Sequence, residues 1–436
     1  MLRVVALIFI TLTYILLSNM IKSELTLYLL TVSIVISYFY LSKNIFLKLS
    51  SLFFFIYFFI PLMPISNYRG IISLTTMHEY SIFILVSLFS ILLPSIIIFN
   101  QKKKAVYLSF GRYTALFVKL HLILVFLLVA YIYIRYGNII LHQELRMEIS
   151  PSLGYIVKSS LMISLIAALN RMNKKPSKYY IFIYYIAPLL PAFLIGSRGT
   201  VIMTIISLLL IKIIQKKSII IPYIKNNFAF YTTNITTREV IYAISISIFI
   251  LYFIFYLRRY NSQYSTPEQL IEYYFTVKSS LLYLILPLYL NLRETIGLTN
   301  IIINNGLENH ILPYPLILAD FVTLLPGEQI AAGQAFGSMI GTAGSGGLTP
   351  GLFGGLMLDF SYINTLLFIS IFSIVLSILY QRSKYNDYYL IVFALLTVQF
   401  FHLFHRGFFK PEYLFTLIIV FIYLFTMKKN TNKGKF

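Results

Sequence analysis

Four groups of residues have the types and spacing that chemistry needs. The first is Gly196-Ser197-Arg198-Gly199-Thr200, set between two apolar runs. An arginine at a glycine-flanked turn presents a planar donor fork at the start of the next helix, where backbone N–H groups and the helix dipole add positive potential. Such a place suits a phosphate; the plainer role is snorkelling to the headgroups. The second is Arg258-Arg259, which serves an anionic ligand or pairs with Glu268 or Glu272. The third is His402, His405, Arg406 and Gly407, with His402 and Arg406 four apart and so on one helical face. The fourth is the glycine-dense stretch from Leu325 to Phe360, suited to close backbone approach. No Lys-Ser or Lys-Thr follows it at P-loop spacing, and its Gly337/Gly341 pair reads as helix packing. Nearby groups able to accept a proton are His310, Asp320, Glu328 and Asp359. No HExxH pattern, acidic cluster or histidine pair with a third ligand is present, so no metal or other cofactor is expected.

These residues must be positioned by membrane helices. Of the 436 residues 59% are hydrophobic and 11% charged, and the mean hydropathy is +0.83. A soluble domain of this length could not hide so much apolar surface, so an all-α polytopic membrane protein is expected. The first apolar segment lacks a small-residue cleavage site and reads as a retained helix. The formal charge of +21 would suggest nucleic acid in a soluble chain. Here the basic residues sit in short loops and form no continuous face, which argues against that partner. The absence of cysteine excludes disulfides and thiolate metal sites.

Counting runs against the roughly 20 apolar residues a span needs predicts about twelve transmembrane helices: Leu2–Ser18, Glu24–Leu41, Leu47–Pro64, Glu79–Phe99, Thr114–Ile134, Tyr155–Leu169, Tyr179–Leu194, Thr200–Ile214, Glu239–Leu257, Ser361–Tyr380, Tyr388–Phe404 and Tyr413–Met427. Alternate loops are rich in Lys and Arg and hold almost no acid, only Glu239 and Asp387, which makes them and both termini cytoplasmic. The expected organisation is a helix bundle over 1–257, one large extracytoplasmic segment over 258–360, further helices over 361–427 and a basic cytoplasmic tail over 428–436. Within the large segment, Leu281–Leu290 and Ile311–Leu325 read as re-entrant or interfacial pieces. The tail reads as a solvated anchor on the anionic inner leaflet.

This pattern resembles the bacterial O-antigen or oligosaccharide repeat-unit polymerases, the Wzy family. The resemblance rests on the Gly196-Ser197-Arg198-Gly199 turn and on the late outer segment, whose end runs from Thr349-Pro350-Gly351 through Gly354-Gly355 to Asp359-Phe360. Arg406-Gly407, between the final two helices, completes it. It implies a metal-independent, membrane-embedded glycosyltransferase of the GT-C type in the bacterial inner membrane. Such an enzyme moves a growing polysaccharide from undecaprenyl pyrophosphate to the non-reducing end of a new undecaprenyl-pyrophosphate-linked unit, in O-antigen or capsule synthesis. Donor and acceptor lipids, the bilayer, a chain-length regulator and a flippase are the partners it implies. It also implies that Arg198, Arg258, Arg259, Arg293 and Arg406 hold the pyrophosphate. The alternatives are an O-antigen ligase and a flippase or transporter of lipid-linked units.

A departing pyrophosphate gathers negative charge that arginines can stabilise, and a carboxylate or histidine must take the acceptor proton. Asp359 sits where it can cap the following helix, and Asp320 lies in an apolar run where it can pair with an arginine. Glu328 has no such duty, and Arg406 beside His405 favours its neutral form. Glu328 and His405 are therefore the expected bases, ahead of His310 and the two aspartates.

Overall fold

The computed structural model describes residues 2–18, 21–97 (without 43, 64 and 67), 105–170 (without 140–144, 146 and 147), 177–219, 245, 249, 252, 267–322 (without 277, 278, 280 and 281), 330, 332–341 and 348–432. Helices α1 (Leu2–Ser18), α2 (Glu24–Leu41), α3 (Ile45–Leu62) and α4 (Leu74–Ile97) come first. After strand β1 (Ala105–Ser109) follow α5 (Arg112–Tyr136), α6 (Pro151–Lys158), α7 (Leu161–Leu169), α8 (Lys178–Ile181), α9 (Leu189–Leu194) and α10 (Arg198–Ile219). The rest comprises α11 (Pro267–Tyr274), α12 (Leu282–Asn305), α13 (Ala319–Val322), α14 (Ala332–Met339), α15 (Gly351–Asp359), α16 (Tyr362–Ser383), α17 (Asp387–Arg406), α18 (Pro411–Thr426) and strand β2 (Lys428–Asn432).

Local sequence explains where several helices start. Asn44 Oδ1 accepts from the backbone N–H of Phe46 at 2.9 Å, and the Ser23 and Ser177 hydroxyls cap α2 and α8 in the same way. Among the described residues seven stretches are long and apolar enough to cross a membrane: α2, α3, α4 as far as Pro94, α5, Pro151–Leu169, α16 and α17. Shorter apolar helices cover Val5–Ile15, Gly199–Gln215 and Phe415–Thr426. The predicted span Tyr179–Leu194 is instead broken into α8, a π turn at Phe182–Ile186 and α9, with Pro188 and Pro191 interrupting the ladder. The predicted span Glu239–Leu257 falls outside the described residues, apart from 245, 249 and 252.

The chain divides into two compact units, and not at the expected boundaries. One comprises 1–99, 266–378 and 400–409; the other comprises 100–265, 379–399 and 410–436. The expected 1–257 bundle is thus shared between them, because helices pack on partners remote in sequence. In the first unit, hydroxyls supply part of that packing. Thr11 meets the Tyr38 hydroxyl at 2.7 Å, Tyr14 meets Thr31 at 2.8 Å, and Ser87 meets Ser373 at 3.0 Å. Such contacts join helices where lipid offers no hydrophobic drive between them. Phe53, Phe54, Phe83, Phe353, Phe400 and Phe404 form an aromatic core around them.

In the second unit the tail departs from expectation. Lys428–Asn432 is not a loose anchor but a strand, antiparallel to Ala105–Ser109 and in register from Ala105 opposite Asn432 to Ser109 opposite Lys428. The Leu108 N–H also donates to Asp387 Oδ2 at 2.9 Å, and the Val106 N–H to the Tyr385 carbonyl at 3.0 Å. Pairing a short polar strand satisfies backbone groups that composition alone assigns to water.

Candidate functional site

The described end of the glycine-rich segment, α15, packs within the first unit. Helix α15 is wedged between α12 and the end of α17. A side chain on Gly354 would stand 2.7 Å from Thr299 Oγ1, and one on Gly355 would stand 2.6 Å from the Gly407 carbonyl oxygen. Gly351 and Gly407 have φ of +71° and +83°, so both need glycine for backbone reasons as well. The Thr299 hydroxyl donates to the Pro350 carbonyl at 2.6 Å, tying α12 to the start of α15. Close approach thus belongs to Gly351, Gly354, Gly355 and Gly407. At Gly341 of the expected Gly337/Gly341 pair, which lies in a turn with φ +74°, no atom of the described residues stands within 4 Å of where a side chain would go.

The far end of α15 holds a loop. Asp359 accepts from the N–H groups of Leu316 at 2.6 Å and Ile317 at 2.8 Å, and from the Asn309 amide at 3.2 Å. It therefore anchors the 306–318 loop. Phe409, just past α17, donates its N–H to the Ile317 carbonyl at 3.0 Å. Beside this anchor lies a cavity of about 600 Å³ lined by Glu79, Glu308, Asn309, Tyr314, Asp359 and Ser361 among others.

Burial pushes the Asp359 carboxyl above its ordinary range, and the three donors pull it only part of the way back. The native state then holds more protons than the unfolded state between the ordinary and raised values. The group's contribution to stability is therefore full at low pH and declines as pH rises through that window. Asp359→Asn removes this titration and turns an amide N–H₂ toward a backbone donor, at a cost of about 1–3 kcal/mol. In detergent melts the wild type should exceed the variant, with the gap narrowing as pH rises. A gap that widens with pH would mean that the donors dominate.

The other predicted residues are placed unevenly. Arg293, on α12, is buried, and its guanidinium donates to the carbonyls of Pro61 at 2.7 Å, Tyr68 at 3.0 Å and Gly70 at 2.5 Å. The fork expected to face a pyrophosphate instead holds the α3–α4 connection. Glu294 beside it pairs with Arg69 at 3.4 Å. These partners let α12 run through Pro287 and on to Asn305, where the sequence reading ends the apolar piece at Leu290. His402, His405 and Arg406 share α17; His402 is buried, and the Arg406 Nε is buried without a hydrogen-bond partner.

Asp320 Oδ1 accepts from the Ala332 N–H at 2.8 Å, which caps the start of α14. His310 is exposed and its Nδ1 stands 3.0 Å from the Glu308 carbonyl. Arg198 opens α10 in the second unit, two residues after Gly196 with φ +69°. Arg258, Arg259 and Glu328 lie outside the described residues.

Two polar groups in apolar runs escaped the sequence reading. In the second unit, Glu412 is buried and ion-paired to Lys158, and to Lys410 at 2.9 Å. His121 stands 2.8 Å from both the Tyr423 and Ser159 hydroxyls. The available signal was a charge or imidazole inside a hydrophobic run, which in a membrane calls for a partner. Glu79, at the edge of a predicted span and on the cavity wall, carries the same signal.

Fold and site together define an all-α membrane protein with a short accessory β-ribbon. No protein-family model, characterised protein or solved structure matches the chain.

Proposed function

We propose that this protein polymerises lipid-linked oligosaccharide repeat units at the outer face of a bacterial cytoplasmic membrane, with about twelve crossings and both termini in the cytoplasm. The observation that carries the reading is the seating of the Arg406-Gly407 turn on α15, the helix whose far end, Asp359, borders the cavity. One nine-residue helix thus links a turn bearing a cation to a polar cavity. Transfer from a lipid pyrophosphate needs both parts: a cation for the leaving group and a hollow for an acceptor hydroxyl with a proton-accepting group. Arg198, and Arg258 and Arg259 at the head of the large segment, are further candidates for the pyrophosphate. His405 and Glu328 are candidates for the proton.

The test is surface polysaccharide from a strain lacking this chain, resolved on a gel. A polymerase leaves a band of a single added unit and no ladder. Loss of every added unit would point to a flippase or ligase and overturn the reading.

A further inference from the structure

The cavity of the first unit contains a feature that Asp359 does not explain. Glu79 Oε2, on its wall, is buried and has no hydrogen-bond partner among the described residues. The Tyr362 hydroxyl, next to the cavity-lining Ser361 and within electrostatic reach of Glu79, is also buried and has no partner among the described residues. A buried polar atom without a partner costs about 1–3 kcal/mol, and such atoms cluster where a ligand completes them.

The chemistry of the wall selects the ligand. Among the described residues no three His, Cys, Asp or Glu side chains stand where they could share an ion. Both Asp359 oxygens are already engaged by backbone N–H groups. Asn309 is likewise spent, on Asp359, the Tyr314 carbonyl and the Leu312 N–H. What remains is Glu79 Oε2 with the side chains of Glu308, Tyr314 and Ser361, set among the apolar faces of Leu312, Pro313 and Pro315. Polar groups able to accept and donate, beside apolar patches in a cavity of this size, suit a hydroxyl-rich ring with apolar faces.

We infer that this cavity holds the acceptor saccharide and that Glu79 takes the proton of the attacking hydroxyl. The inference rests on the polymerase reading. In the transfer, the acceptor oxygen forms a bond to the donor's anomeric carbon as the bond from that carbon to the pyrophosphate oxygen breaks. The electron pair leaves with the pyrophosphate. The hydroxyl proton passes to Glu79, which later returns it to water. The Gly407 turn touches α15 at Gly351 and Gly355, four to eight residues before Asp359. At the helical rise this places the two half-sites roughly 6–12 Å apart along the axis.

The experiment uses the full chain in lipid with lipid-linked repeat units. Glu79→Gln keeps the shape and removes the base, so kcat should fall about 10²–10⁴-fold while KM for the acceptor changes little. The acidic limb of the wild-type kcat profile should vanish in Glu79→Gln and persist, at reduced rate, in Glu79→Asp. Wild-type turnover by Glu79→Gln, with loss instead in His405→Ala or Glu328→Gln, overturns the assignment and leaves the polymerase reading intact. So does equal activity of the Gln and Asp variants. A wild-type protein that forms no polymer removes the reading itself, and the inference with it.

Discussion

Replacing Arg406 by Ala should lower polymer formation by about 10²–10³-fold, the loss expected when one preorganised donor is taken from a developing oxyanion. Arg406 ends α17 at a turn that only glycine can make, since Gly407 has φ +83°. Its Nε is buried and has no hydrogen-bond partner among the described residues. A buried guanidinium nitrogen left open in this way is suited to an anion from outside the chain. Arg406→Lys should rescue poorly, because an ammonium is a point charge and does not reproduce the planar fork. Arg198→Ala, at the corresponding glycine turn before α10, should show the same loss. Product chains would be counted in vitro from lipid-linked units, with the amount of protein in the membrane measured alongside. Normal ladders from both Ala variants, at normal protein levels, would assign the two arginines to contacts with headgroups.

The largest effect on folding should come from Gly407→Ala. A Cβ there would stand 2.6 Å from the Gly351 carbonyl oxygen and 3.1 Å from Pro350 Cγ. The first neighbour is backbone and has little room to move. Overpacking of this kind costs about 1–3 kcal/mol, and holding a non-glycine residue in the left-handed region costs about 1–3 kcal/mol more. A total of roughly 2–6 kcal/mol is a large share of the 5–15 kcal/mol that typically holds a domain together. Gly341→Ala is the natural control, for Gly341 also has positive φ but open space around it. It should show the backbone cost alone. Thermal melts of the two variants in detergent separate the terms: equal shifts would mean that the contact of α15 with the α17 turn is not tight in solution.

What the sequence determined by itself was local. Runs of helix length and high apolarity must be helical in lipid, because no water is there to satisfy backbone N–H and C=O groups. Asn44, Ser23 and Ser177 mark helix starts within a few residues of the groups they cap. The unusual density of glycine from Leu325 to Phe360 marked the stretch that ends in α15, whose glycines meet α12 and the turn after α17. Which glycines carry the packing was decided by the tertiary structure, since the Gly355 contact lies across the fold at Gly407.

The partners of the charged groups were decided there too. Arg293 reads as a free cation until the fold brings Tyr68, 225 residues away in sequence, within 3.0 Å of its Nε. Asp359 reads as a cap for the next helix until the 306–318 loop offers it two backbone donors. Glu79 reads as the edge of a span until a cavity forms against it. A charge satisfied over long range leaves no pattern in the residues beside it. Spacing along the chain can therefore show that Arg293, Asp359 and Glu79 need partners, while only the packing of distant helices decides which partners they find.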